Sequence, residues 1–359
     1  MRKIVVKLGT RTLTTGQNRL DRRNIQETVR QMCELAQRGV KVILVTSGAI
    51  ASGMGLLGLK KKPSVLAALQ AAAAIGQNRL MDIYSEFFGA GGYATGQMLL
   101  TQEDFNDRKR YLNIKYTLRE LLKFNAVPII NENDTVSTEE IRCGDNDRLS
   151  SLVADLAEAD MLIILTDVDG LMDENGGVVS LVEDIDSRIA KMVKASRCDI
   201  SRGGMATKLE AARRATEAGI DCVVANGRTK DVILKVVDGQ KVGTFFRARG
   251  MGLAARKRWI AFSSKTKGAV IVDSGAREAL VERSKSLLAS GIVGVQGRFK
   301  AKDTVSILDE SNNEFARGVA GYSSEEIGII KGMRSSDLAK ALGRKAKDEV
   351  IHKDNLVIL

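Results

Sequence analysis

The apolar strand Val127-Pro128-Ile129-Ile130 stops abruptly at Asn131-Glu132-Asn133-Asp134-Thr135-Val136, and a second polar run follows at Gly144-Asp145-Asn146-Asp147. A buried parallel strand that ends in carboxylates and amides opens into a ligand crevice. Asp134 and Asp147 offer fixed negative charge, while Asn131, Asn133 and Asn146 offer both donors and acceptors. Such a set suits a small zwitterion better than an apolar ligand. A polar turn made of Asn, Asp and Gly would look similar in isolation. What decides between the two is the rest of the chain.

The same pattern recurs. Ile4-Val5-Val6-Lys7-Leu8 ends at Gly9-Thr10, Val40 to Val45 at Thr46-Ser47-Gly48-Ala49, Met161-Leu162-Ile163-Ile164-Leu165 at Thr166-Asp167-Val168-Asp169-Gly170, and Cys222 to Ala225 at Asn226-Gly227. Between these strands lie stretches of helical spacing. Residues 21–38 carry apolar positions at Ile25, Val29, Met32 and Leu35, with Asp21 as N-cap and Gly39 as stop. Strand, helix, strand predicts right-handed parallel crossovers and a doubly wound α/β sheet. Ser64 to Phe88 predicts a long Ala-rich helix whose small residues permit close packing. Gly53-Met54-Gly55-Leu56-Leu57-Gly58 has the letters of a dinucleotide fingerprint. It lacks the position directly after a strand and the acidic residue about 20 positions on that the fingerprint requires, so we set it aside.

Two further lysine-bearing features bear on the crevice. Lys7 stands at the end of a strand beside Gly9. Arg202-Gly203-Gly204-Met205-Ala206-Thr207-Lys208 opens a helix running to about Ala218, and two glycines, a hydroxyl and a lysine on a first turn make a seat for phosphate. It is not a Walker A loop, since the chain contains no Gly-Lys dipeptide. Together the two lysine loops and the polar strand ends predict phosphoryl transfer from a nucleotide to a small acceptor, with lysines neutralising the migrating group and glycine amides binding its oxygens.

Composition narrows the acceptor. The chain has a single histidine, His352, near its C-terminus. A catalytic histidine is thereby excluded as the base that an alcohol acceptor would want. A carboxylate needs none, because with a pKa near about 4.3 it is already ionised at neutral pH. The four cysteines (Cys33, Cys143, Cys198, Cys222) are scattered, which predicts reduced thiols and a cytoplasmic protein. No apolar run approaches the length of a membrane span, and the N-terminus enters a strand directly, without a signal-peptide core.

Residues 247–258 change the texture to a basic, glycine-bearing linker. Short strands with tight turns follow at Ala269 to Val272, Gly291 to Val295, Thr304 to Leu308 and Glu314 to Val319, predicting a small β-rich module. We expect domains at 1–250 and 267–345, a linker at 251–266 and a C-terminal tail at 346–359. Net charge is +11, concentrated toward the C-terminal third, which favours an anionic partner there.

The six loops Val6-Lys7-Leu8-Gly9-Thr10, Thr46-Ser47-Gly48-Ala49-Ile50, Asn131-Glu132-Asn133-Asp134, Gly144-Asp145-Asn146-Asp147, Leu165-Thr166-Asp167 and Gly203 to Lys208 resemble, in this order, those of the amino acid kinase family. The tail, from Val272-Asp273-Ser274-Gly275-Ala276 through Tyr322-Ser323-Ser324, is similar to a PUA domain. The resemblance implies an amino acid kinase fold, a mainly parallel sheet between helices, followed by a PUA module. It implies ATP with Mg²⁺, and more narrowly the branch that phosphorylates the γ-carboxylate of L-glutamate in the first step of proline biosynthesis. Carried over by motif, Lys7 and Lys208 bind the phosphates and stabilise the transferring group, and Asp147 positions them. Ser47, Asp134 and Asn146 hold glutamate, and Thr166, Asp167, Arg202, Gly203, Gly204, Met205, Ala206, Thr207 and Lys208 complete the ATP site. Metal ligands stay unassigned among Asp145, Asp147, Asp167 and Asp169. The resemblance also implies feedback inhibition by L-proline, a homodimer or homotetramer, and RNA as a partner for the PUA module. Two rival readings stay open: an RNA-binding PUA protein with a vestigial kinase domain, and a sibling kinase acting on another carboxylate. Three departures from the family pattern are Arg11 after the Lys-Leu-Gly-Thr motif, Lys302-Asp303 for a Gly-Asp turn, and Ser311-Asn312-Asn313 for a glycine turn.

Overall fold

A computed structural model describes residues 2–15, 19–136, 146–186, 189, 204–249, 257, 259–263 and 266–359. The chain divides into two compact units, Met1–Gly252 and Leu253–Leu359.

The first unit is built on an eight-stranded sheet: β1 (Lys3–Leu8), β2 (Lys41–Val45), β3 (Thr95–Leu100), β4 (Val127–Glu132), β5 (Met161–Thr166), β6 (Leu181–Val182), β7 (Asp221–Asn226) and β8 (Thr244–Phe246). Their order is β3-β4-β2-β1-β5-β7-β8-β6. Every pair is parallel except β7–β8. The helices with the sheet are α1 (Thr10–Leu13), α2 (Arg22–Gln37), α3 (Ala49–Leu56), α4 (Leu66–Ala90), α5 (Gln102–Asn106), α6 (Arg108–Lys123), α7 (Asp147–Ala157), α8 (Met205–Glu217) and α9 (Val232–Val237). None of the described helices is long and apolar enough to cross a membrane.

Side chains alternate between the faces of a strand, and β1 uses both. Ile4, Val6 and Leu8 join a core with Ile25, Val29 and Met32 of α2 and with Leu80, Tyr84 and Phe88 of α4. Val5 is equally buried but outside that cluster, because it faces the opposite side, where α7 packs on β1 and both α7 and α8 pack on β5. Lys7 follows Val5 at a spacing of two. Its ammonium is therefore delivered between the sheet and α7 and α8, in what would otherwise be apolar interior.

The glycine-rich stretch set aside in the sequence has a packing role. Gly53 lies inside α3, and a Cβ there would stand 1.8 Å from the Ala72 carbonyl oxygen of α4; one on Gly76 would stand 1.8 Å from that of Ala49. Two bare backbones let α3 and α4 touch directly, as small residues permit.

The second unit is a five-stranded sheet, β11 (Ile292–Gly297), β9 (Gly268–Val272), β12 (Thr304–Leu308), β13 (Glu314–Val319) and β15 (Leu356–Ile358) in that order, with a ribbon of β10 (Leu287–Leu288) and β14 (Glu349–Ile351). Helices α10 (Ser274–Val281), α11 (Ser324–Ile330) and α12 (Leu338–Leu342) complete it. Its core is separate and centres on Val270, Ile307, Tyr322, Ile327 and Ile351. One expectation needs correcting: the segment 346–359 is no appended tail. β15 pairs with β13, β14 pairs with β10, and Val350, Ile351 and Leu356 sit in the core. The reason is partly Tyr322, whose buried hydroxyl donates to the Lys347 carbonyl at 2.5 Å and accepts from the Lys347 N–H at 2.6 Å. Of the expected linker, residues 251–256, 258 and 264–265 lie outside the described residues, and Trp259–Ser263 forms a helical turn against β13 and β15.

Candidate functional site

The register of the sheet aligns the strand ends. Lys7 lies opposite Val45 of β2 and Ile164 of β5, Val45 opposite Ile130 of β4, and Ile164 opposite Val224 of β7. The residues that follow, Thr46, Asn131, Thr166 and Asn226, therefore emerge together at the carboxyl edge.

At the centre is Asp147, the first residue of α7 and wholly buried. A carboxylate there is favoured by the helix dipole. One oxygen, Oδ1, meets Lys7 Nζ at 2.5 Å, and the other, Oδ2, meets Lys208 Nζ at 3.1 Å. Thr207 Oγ1 also donates to Oδ2, at 2.9 Å. Lys7 and Lys208 are themselves 1% and 5% exposed. Two ammonium groups share one carboxylate, so the trio carries net positive charge where water cannot screen it. Removing charges from water is costly unless they are paired, and Asp147 pairs with both ammonium groups. The arrangement is stable as it stands and attractive to an incoming anion.

Beside it runs a chain of amides. Asn146, the residue before α7, donates from Nδ2 to the Thr46 carbonyl and to Asn131 Oδ1, the latter at 2.6 Å. Asn131 Oδ1 also accepts from the Glu132 N–H at 3.0 Å, and Asn131 Nδ2 donates to Gln77 Oε1 of α4 at 2.7 Å. Thr46 Oγ1 and the Tyr84 hydroxyl of α4 are 2.7 Å apart, and burial holds the Tyr84 phenol well above its ordinary pKa and so protonated. With both N–H groups of Asn146 Nδ2 engaged, its Oδ1 is the atom left to offer a ligand. Ser47 is buried at the end of β2, and Asp134 is half-buried after β4.

A third set closes the edge at β5 and β7. Thr166 Oγ1 donates to Asp167 Oδ1 at 3.1 Å, and Arg11 Nη1 pairs with Asp167 Oδ2 at 2.9 Å. Partial burial pushes the Asp167 carboxyl up, but the Arg11 guanidinium and the hydrogen bonds around it outweigh that and hold it below the usual carboxylate range. Asn226 Nδ2 donates to Asp169 Oδ1 at 2.9 Å. Gly204 caps α8 without a side-chain bond, and its carbonyl accepts from the Thr207 N–H at 3.2 Å, so the amides of Met205 and Ala206 open the helix N-terminus.

Of the residues chosen from sequence, Lys7, Asp147, Thr207 and Lys208 come into direct contact, and Asn146 adjoins them in the chain. Ser47, Asp134, Thr166 and Asp167 lie at the ends of the neighbouring strands, and Gly204, Met205 and Ala206 on the opening of α8. Arg202, Gly203 and Asp145 lie outside the described residues, as does Cys143. Three partners went unassigned from sequence: Asn131 as the hub of the amide chain, Gln77 on a distant helix, and Arg11 on Asp167. A Gln directly after Gly76 in an Ala-rich helix was the available signal for the second.

Comparison with known proteins identifies the family. Residues 2–226 match the amino acid kinase family, and residues 268–342 match the PUA domain. The chain is similar to glutamate 5-kinase from Caldanaerobacter subterraneus subsp. tengcongensis, 48% identical over 363 residues, which cover 99% of this chain and 98% of that one. It is similar also to glutamate 5-kinase from Syntrophotalea carbinolica, 45% identical over 364 residues, covering 100% and 97%, and to that from Methylococcus capsulatus, 44% identical with 99% and 97% covered. With a matched family over most of its length and relatives aligned end to end, the chain belongs to the amino acid kinase family and carries a C-terminal PUA domain.

Proposed function

We propose that the protein transfers the γ-phosphoryl group of ATP to the γ-carboxylate of L-glutamate, giving L-glutamyl 5-phosphate and ADP. The observation that carries this reading is Asp147 between Lys7 and Lys208. The full-length likeness to glutamate 5-kinases supports the choice of acceptor.

In this reading a γ-carboxylate oxygen attacks Pγ in line as the bond from Pγ to the bridging oxygen breaks, and ADP leaves. No proton moves, so no general base is needed. The protein's work is alignment and charge neutralisation. Lys7 and Lys208 approach the phosphoryl oxygens from two elements. Asp147 holds the ammonium groups in place and apart, and Thr207 fixes its second oxygen. The α8 N-terminus supplies further amide donors, with Thr166 and Asp167 beside the nucleotide. Asn146 Oδ1, Asp134 and Ser47 receive the ammonium and polar end of glutamate. Magnesium bound with ATP ordinarily needs only one or two protein carboxylates; Asp167 would be one such carboxylate, and the ion would neutralise phosphate charge. L-proline shares the ammonium and α-carboxylate of glutamate and occupies the same polar end as an inhibitor.

Purified protein with ATP, Mg²⁺ and L-glutamate is expected to release ADP and, with hydroxylamine, to form γ-glutamyl hydroxamate. Hydroxamate with aspartate or N-acetylglutamate but none with glutamate would move the chain to a sibling activity. The vestigial-kinase alternative leaves two buried lysines on one carboxylate without a cause.

A further inference from the structure

The amide chain beside the phosphoryl seat has a polarity that can be followed atom by atom. The Thr46 carbonyl can only accept, so Asn146 must turn Nδ2 toward it. The Glu132 N–H can only donate, so Asn131 must turn Oδ1 toward it. Asn131 is then left with Nδ2 facing α4, and Gln77 must meet it with Oε1, which it does at 2.7 Å. This commits the other end of the Gln77 amide. Its Nε2 carries two N–H groups, lies in a side chain only 8% exposed, and has no hydrogen-bond partner among the described residues. A buried donor without an acceptor is rare and calls for a ligand.

Position says which ligand. Asn146 precedes Asp147 in the chain, Asn131 is bonded to Asn146, and Gln77 is bonded to Asn131. An acceptor whose γ-carboxylate lies at the lysines has its other end along this line. Asn146 Oδ1 is an acceptor and suits an ammonium; Gln77 Nε2 is a donor and suits a carboxylate. Helix α4 reaches this far only because Gly76 and Gly53 allow it to lie against α3.

We propose that Gln77 Nε2 binds the α-carboxylate of the acceptor amino acid and selects for it. The proposal rests on the reading of L-glutamate as acceptor. Gln77→Glu keeps the oxygen that accepts from Asn131 and replaces the donor with a negative oxygen. We expect kcat/KM for L-glutamate to fall about 10- to 100-fold, as for loss of a hydrogen bond to a charged group. The KM for ATP should not move. L-isoglutamine retains the γ-carboxylate and ammonium but has an α-carboxamide, whose N–H the introduced oxygen can accept. The preference for L-glutamate over L-isoglutamine should therefore shrink in Gln77→Glu, a change that loosened packing alone would not produce. Unchanged KM for L-glutamate and unchanged preference, in a variant with the parent's thermal midpoint, would overturn the assignment. If the new charge prevents folding, Gln77→Met removes the donor without charge. The same fall with L-glutamate supports the proposal, and an unaltered KM overturns it. Absence of hydroxamate from the unsubstituted protein would instead overturn the parent reading, and this one with it.

Discussion

At the scale of single residues, Asp147 and Lys208 are expected to behave differently when replaced. Removing Lys208 leaves the Asp147–Lys7 pair in place. Lys208→Ala should therefore fold, with a thermal midpoint close to the parent's, while hydroxamate formation falls by at least about 100-fold, as when one preorganised charge-stabilising donor is lost. Removing Asp147 takes a carboxylate from two buried ammonium groups at once. Asp147→Asn should lose both activity and about 3–5 kcal/mol of stability, the usual consequence of breaking a buried pair from one side; urea unfolding beside the activity assay separates the two variants. Arg11 invites a test with a pH reading. The Asp167 carboxyl is held below its ordinary pKa, largely against burial, with the Arg11 guanidinium as the leading favourable partner. A depressed carboxylate contributes stability above its ordinary pKa and loses it as pH falls through the lowered value. In Arg11→Ser the titration of Asp167, followed by NMR of the carboxyl, should move upward, and the acid edge of stability in the first unit should begin at higher pH.

At the scale of elements, much could be read from the chain and the rest could not, for a definite reason. The longer strands, the helix openings and the lysine loops are local patterns, and β1, β2, β4, β5, β7 and the α8 start fall close to where spacing put them, whereas the short β6 and β8 were not foreseen. Gln77 and Arg11 belong to contacts made across the sheet, and nothing in residues 64–88 announces which face of an alanine helix meets β4. The segment 346–359 was misjudged for the same reason: its anchor, Tyr322, is remote in sequence. The turn departures in the second unit are explained by backbone. Lys302 and Asn312 stand at φ 78° and φ 62°, in the left-handed region where glycine is at ease. Asn tolerates that conformation, and a β-carbon on Lys pays for it. Lys302→Gly should stabilise the protein by about 0.5–1 kcal/mol, the relief of the left-handed backbone less the entropy of glycine, as a rise in the urea midpoint with unchanged slope.

For the whole molecule, the division into two units has a consequence for activity. Every described residue of the candidate site lies before Gly227, on strands and helices whose core is closed within Met1–Gly252. The second unit has its own core and its own strand pairings, β15 on β13 and β14 on β10. A chain ending at residue 250 is therefore expected to fold and to keep glutamate-dependent hydroxamate formation within about threefold in kcat/KM, since a change of that size, about 0.65 kcal/mol, is what indirect effects on a site impose. The converse truncation, residues 253–359, should unfold cooperatively on its own, with Tyr322→Phe lowering its midpoint because the Lys347 backbone loses both bonds to the hydroxyl. If the shortened kinase unit folds but makes no hydroxamate, the site as drawn from the first unit is incomplete, and the second unit must supply part of it.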